Sequence, residues 1–123
     1  MLRLCDREGR NRASLSLGPD GSPLLELSDE QGRIRASLGL TEDGGAGLGL
    51  SDEQGRARAG LGLKEGGAGA LSFMDEAGRC RLQAGMVTED GPQLDLLGPD
   101  GQCRGSLKIR ADGMALLELG DAE

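Results

Sequence analysis
The chain has 123 residues, a formal charge of -7, 23 glycines and one aromatic residue, Phe73; it contains no His, Trp or Tyr. Without His there is no Ser/His/Asp or Cys/His nucleophile system, and no His-ligated zinc or haem site. No apolar run approaches the roughly 20 residues of a membrane helix, and the acidic balance disfavours nucleic acid and anionic membrane as partners.

Read in order, the chain alternates two short strand patterns. Leu2-Arg3-Leu4 is followed by an Asp-x-x-Gly step from Asp6 to Gly9, then by an alternating stretch from Arg10 to Leu17 and a Pro19-Asp20-Gly21 turn. The pattern then repeats. Leu25-Glu26-Leu27, Asp29 to Gly32, Arg33-Ile34-Arg35-Ala36-Ser37-Leu38-Gly39-Leu40 and Glu42-Asp43-Gly44 form the second unit. The third runs through Leu48 and Leu50, Asp52 to Gly55, Arg56, Arg58, Leu61, Leu63 and Glu65-Gly66-Gly67. The fourth holds Leu71, Phe73, Asp75 to Gly78, Arg79, Arg81, Ala84 and Met86, and the fifth holds Leu94, Leu96, Gly101, Arg104, Leu107, Ile109 and Ala111-Asp112-Gly113. Leu117 and Leu119 close the series as a half-unit. The step is 23 residues throughout (Gly9, Gly32, Gly55, Gly78 and Gly101), so residues 1–123 read as one repeat domain without linkers.

Period-two alternation fits half-buried strands and excludes helices. Pro-Asp-Gly suits a type I turn with Gly in the left-handed position. The parity of the Leu columns sets the pairing. A four-residue loop at Asp29 to Gly32 would place Leu27 opposite Ile34 and Leu25 opposite Ala36; a three-residue loop at Glu42 to Gly44 places Leu38 opposite Leu48. The expected fold is therefore all-β: an antiparallel meander of about eleven short strands with one Leu-rich face. The alternative is a β-solenoid with one coil per repeat, in which Cys80 and Cys103 become neighbours.

A one-faced sheet must bury that face, and no helix is available to cover it. Homo-oligomerisation is expected, with a three-sided trimeric prism preferred to a dimer. The interface residues are Leu15, Leu17, Leu25, Leu27, Leu38, Leu40, Leu48, Leu50, Leu61, Leu63, Leu71, Phe73, Leu94, Leu96, Leu107, Ile109, Leu117 and Leu119. On the other face Gly39, Gly47, Gly49, Gly60 and Gly62 cluster. Gly47, Gly49, Gly60 and Gly62, with Arg35 and Arg58, form a candidate docking face for a protein partner. The Arg columns suggest either a polyanion grip or, more simply, cross-strand pairs such as Glu26 with Arg35 and Asp95 with Arg104.

Asp43-Gly44-Gly45-Ala46-Gly47 is similar to the opening of a calcium-binding β-roll nonapeptide, but Gly49 stands where the recurring Asp belongs. The turn acids read as caps of their own backbone, and no metal site, cofactor or catalytic residue is expected. Cys80 and Cys103 fall on the inward register, as inert buried thiols, and Cys5 on the polar one. Three free cysteines, no apolar leader after Met1 and twelve Arg among 14 basic residues suggest a cytoplasmic, bacterial protein.

Asp29-Glu30-Gln31-Gly32-Arg33 and Asp52-Glu53-Gln54-Gly55-Arg56 resemble the Tyr-Asp-x-x-Gly-Arg core of bacterial RHS/YD repeats, with Ser in place of Tyr. That resemblance implies β-hairpin units that build extended sheets; it covers five residues in each of four copies and brings no activity. The functional expectation is a non-enzymatic scaffold that self-associates through its Leu face. The alternative is a binding protein: a closed barrel around an apolar ligand, or a sheet that docks a partner on its Gly/Arg face.

Overall fold
The computed structural model describes residues 1–63, 67–88 and 91–120, with backbone only at 87–88. Among these residues, eleven strands form a single sheet in the order β1 to β11. They are β1 (Leu2–Cys5), β2 (Asn11–Leu17), β3 (Pro23–Ser28), β4 (Ile34–Leu40), β5 (Ala46–Ser51), β6 (Ala57–Leu63), β7 (Gly69–Met74), β8 (Cys80–Thr88), β9 (Gly91–Leu97), β10 (Cys103–Ile109) and β11 (Ala115–Leu119). Each strand pairs antiparallel with its sequence neighbour, so the arrangement is a meander and not the alternative solenoid. Local turn chemistry decides this, because both connections are too short for a parallel crossover. Cys80 and Cys103 accordingly lie on β8 and β10, separated by β9. The expected connection at 65–67 lies, except for Gly67, outside the described residues.

The sheet is open: β1 bonds only to β2, and β11 only to β10. Eleven strands in strict alternation leave β1 and β11 running the same way. Closing their edges antiparallel, as a simple up-and-down barrel requires, is therefore geometrically excluded.

Both hairpin connections use the same three-residue loop. At the second, the Gly44 amide donates to the Thr41 carbonyl (3.0 Å) and the Thr41 amide to the Gly45 carbonyl (2.8 Å). At the first, the Gly32 amide donates to the Asp29 carbonyl (3.0 Å) and the Asp29 amide to the Arg33 carbonyl (2.9 Å). This corrects the four-residue loop expected from parity. The pairs are Leu27 with Ala36 and Leu25 with Leu38, and Ser28 stands opposite Ile34. One residue, Arg35, is extra. Without this bulge the odd loop would carry Arg35 onto the Leu face and every later Leu of β4 off it. The same register step recurs at Leu4/Cys5, Leu50/Ser51, Phe73/Met74 and Cys103/Gly105. At the second connection Leu38 pairs with Leu48, as the sequence predicts.

The bulge also moves the residues just beyond each Asp-x-x-Gly turn to the polar face. Cys80 pairs with Met74 and Cys103 with Leu97, and Cys103 Sγ lies 3.8 Å from Asp95 Oδ1. The inward register expected for these two thiols is thus overturned: Cys103 is exposed and Cys80 half-buried.

The turn glycines adopt the left-handed conformation, with φ of 80–81° at Gly9, Gly32, Gly55 and Gly101. An added Cβ at Gly55 meets nothing within 4 Å, so the demand for Gly there is purely conformational. Gly55→Ala is therefore expected to destabilise the chain by about 1–2 kcal/mol, read as a lower denaturant midpoint with an unchanged slope.

Candidate functional site
The apolar face consists of three rows running across the strands. The central row is Leu2, Leu15, Leu25, Leu38, Leu48, Leu61, Leu71, Ala84, Leu94, Leu107 and Leu117, one residue from every strand, each opposite the next. Beside it, towards the Asp-x-x-Gly ends, runs a second row: Leu4, Ala13, Leu27, Ala36, Leu50, Ala59, Phe73, Leu82, Leu96, Gly105 and Leu119. Towards the other turns the third row holds Leu17, Pro23, Leu40, Ala46, Leu63, Gly69, Ile109 and Ala115. The structure thus brings all the sequence-predicted interface residues onto one surface.

That surface is unpartnered within the chain. Among the described residues no hydrophobic side chain is buried, and Leu38, Leu50, Leu61, Phe73, Leu96 and Leu107 keep 44–49% of their surface exposed. Relief comes from side-chain size. Going along the chain, most strands read small–Leu–large: Ala36-Leu38-Leu40, Ala46-Leu48-Leu50, Ala59-Leu61-Leu63, Gly69-Leu71-Phe73 and Ala115-Leu117-Leu119. Because strand direction alternates, large and small residues alternate along each flanking row. Hollows open over the small ones. One, of about 140 Å³, lies over Ala59 between Leu50, Leu61, Leu71 and Phe73. Another, of about 220 Å³, lies over Ala46 between Leu38, Leu48, Leu61 and Leu63. Strand β8 departs from the pattern with Leu82-Ala84-Met86, next to the register step that follows Gly85.

At the Asp-x-x-Gly ends, acids and arginines form a repeating clamp. Asp29 Oδ1 accepts from the amides of Gln31 and Arg33 (3.0 Å each), and Oδ2 accepts from Arg33 Nε at 2.9 Å. Arg35 Nη1 approaches the same Oδ2 at 3.8 Å, while Arg35 Nε donates to the Ser51 carbonyl of β5 at 2.8 Å. Asp6, Asp52 and Asp75 repeat the arrangement with Arg10 and Arg12, Arg56 and Arg58, and Arg79 and Arg81. Arg12, Arg58 and Arg81 reach the carbonyls of Ser28, Met74 and Leu97. Each clamp therefore joins one bulged hairpin to the next strand in the sheet. These contacts replace the pairs expected for Glu26 with Arg35 and Asp95 with Arg104: Arg35 pairs with Asp29, and Arg104 with Asp100. Arg35 and Arg58, named above as a docking face with the glycines, are engaged in the clamp and do not form a free cationic patch.

The candidate glycine face is contiguous. Gly39 lies opposite Gly47, Gly47 opposite Gly62, and Gly49 opposite Gly60. Nothing among the described residues requires Gly at 60 or 62. Neither has a positive φ, and a Cβ there meets its nearest atoms at an ordinary 3.6 Å. Among the described residues no group of three or more His, Cys, Asp or Glu could hold a metal ion, and no helix is long and apolar enough to cross a membrane. No family model matches the chain, and no curated protein matches it in sequence.

Sequence reasoning missed the bulge, and with it the true role of the second Arg column. The signal was present: an odd loop cannot keep the Leu columns on one face unless an extra residue follows each Asp-x-x-Gly turn.

Two outcomes follow. Partial burial acts to raise the carboxyls of Asp6, Asp29, Asp52 and Asp75, but the turn amides and the i+4 guanidinium outweigh it and hold each below the ordinary 3.8. A lowered folded pKa contributes stability that is present above 3.8 and lost as pH falls through the folded value. The melting temperature is therefore expected to hold steady above about pH 5 and to drop in acid, measured by circular dichroism across a pH series. Gly60→Ala and Gly62→Ala are expected to raise stability by about 0.4–1 kcal/mol each, since they restrict the unfolded chain without a clash in the folded one. Calorimetry checks this, and a loss of stability would mean that another backbone packs against these positions.

Proposed function
We propose that this chain is a non-enzymatic structural scaffold that self-associates through its Leu-rich face, three copies enclosing a common axis as a three-sided prism. One observation carries the reading: among the described residues, an eleven-stranded sheet carries an apolar face and no buried hydrophobic side chain. Each half-exposed Leu still has about 1 kcal/mol of burial to gain, and more than a dozen share the face.

Strand dimensions support three copies. A seven-residue strand such as β4 spans about 20 Å. A triangle with sides of that order holds each sheet only a few ångströms from the axis, within reach of a Leu side chain. The central row then meets at the axis, three residues per level, and the flanking rows meet at the corners. A four-sided ring would leave the axis empty, and empty apolar space is destabilising. The resemblance of the Asp-x-x-Gly-Arg turns to RHS/YD repeats supports the same structural class.

A second reading, docking of a protein partner on the outer face, is favoured by the paired glycines, which the chain's own fold does not require.

Light scattering on a sizing column in reducing buffer tests the main reading: the expected mass is three times 12.7 kDa. Leu50→Asp, at the middle of the second row, places a charge with no partner in that core. It is expected to abolish assembly and leave an unfolded or aggregated chain. A folded monomer, from the natural chain or from this variant, would refute the buried interface.

A further inference from the structure
Resting on that self-association, the structure assigns a definite order to the contacts. We propose that the Asp-x-x-Gly edge of each copy lies along the opposite edge of the next copy, each strand beside its own counterpart, in a closed ring of three.

Three observations carry this. The first is size. In this arrangement the second row of one copy meets the third row of the next on the same strand. Leu50 of one copy then faces Ala46 of its neighbour, Leu63 faces Ala59, and Phe73 faces Gly69. The largest inward side chain meets the smallest, and large meets small on strand after strand. The second is shape: hollows exist over Ala46 and Ala59, walled only by apolar side chains and glycines, where the neighbour's Leu would enter. The third is charge. Each Asp-x-x-Gly turn sets its two arginines against its own Asp and a neighbouring acid (Glu8, Glu30, Glu53 or Glu76), so that edge is close to neutral. The described part of the other edge carries Asp20, Glu42, Asp43 and Asp112, with Arg110 as its one arginine. Joining unlike edges keeps the acidic edge away from a second acidic edge.

One face-to-face order fails on the same grounds. A two-fold axis parallel to the strands lays β1 over β11 and sets the second row against itself. Leu27 then meets Leu96 and Ala13 meets Gly105, so large clashes with large and small leaves a void. It also sets acidic edge against acidic edge.

The test uses Ala46→Cys with Leu50→Cys in the full chain, with C5S, C80S and C103S removing the native thiols. Within one strand, positions 46 and 50 are about 13 Å apart, beyond the reach of a disulfide. Mild oxidation or a short bismaleimide, followed by a non-reducing gel, is expected to give a ladder ending at three chains, while neither single-cysteine variant crosslinks. Three further outcomes overturn the proposal: a trimeric mass by light scattering without a ladder, a ladder ending at two chains, or crosslinking of either single variant. These separate from failure of the self-association itself, which is read beforehand as a monomeric mass. A second variant guards against a folding defect. Ala46→Leu alone is expected to dissociate the trimer, and adding Leu50→Ala to restore it. Absence of rescue in a chain that stays folded would count against the contact.

Discussion
The structure depends on one constraint: an antiparallel sheet with a single apolar face is incomplete by itself. Everything inside the chain organises that face without burying it. Leu columns stay in register across eleven strands, the turns are tight, and among the described residues no element crosses over the sheet to cover it. On the proposed self-association, the interior of the folded object is made between copies. Under that proposal folding and association are one event, and stability depends on protein concentration.

Register is the means by which that face survives. Every Leu lies two residues from the next, so a slip of one residue would turn a whole strand inside out. The hairpins with Gly18, Thr41 or Arg110 at the first turn position keep the register with an odd loop alone. Those that begin at Asp6, Asp29, Asp52 or Asp75 need an odd loop plus a bulge, and the bulge is where the polar chemistry gathers. The Asp carboxylate closes the turn, the first Arg neutralises it, and the second Arg spans to a carbonyl on the strand beyond. The two arginines of each unit are thus part of the fold. Their regular spacing looks like a polyanion-binding ladder only as long as their partners are out of view.

The two faces contrast in what they ask of their residues. The apolar face demands size and shape, with small and large side chains in alternation and hollows over Ala46 and Ala59. The opposite face asks little: at its centre Gly47, Gly49, Gly60 and Gly62 sit in ordinary extended backbone, where an added Cβ would make ordinary van der Waals contacts of 3.4–4.0 Å. The proposed scaffold, with its interior formed between copies, is consistent with this division.

Much of this was legible in the chain itself. The period-two Leu pattern specified strands, the Gly and Asp positions specified hairpins, and together they specified a meander with one apolar face. The pairing of Leu38 with Leu48 followed from the Glu42 to Gly44 loop alone. These features are local, set by φ at a glycine and by alternation along a strand. The tertiary structure decided what depends on several residues at once. The Asp29 to Gly32 loop proved to be three residues with a bulge at Arg35, because a type I turn and a continuous Leu face cannot otherwise coexist. That one added residue carried Cys80 and Cys103 to the polar side and aimed Arg35 at Ser51, outcomes that no single segment of sequence contains.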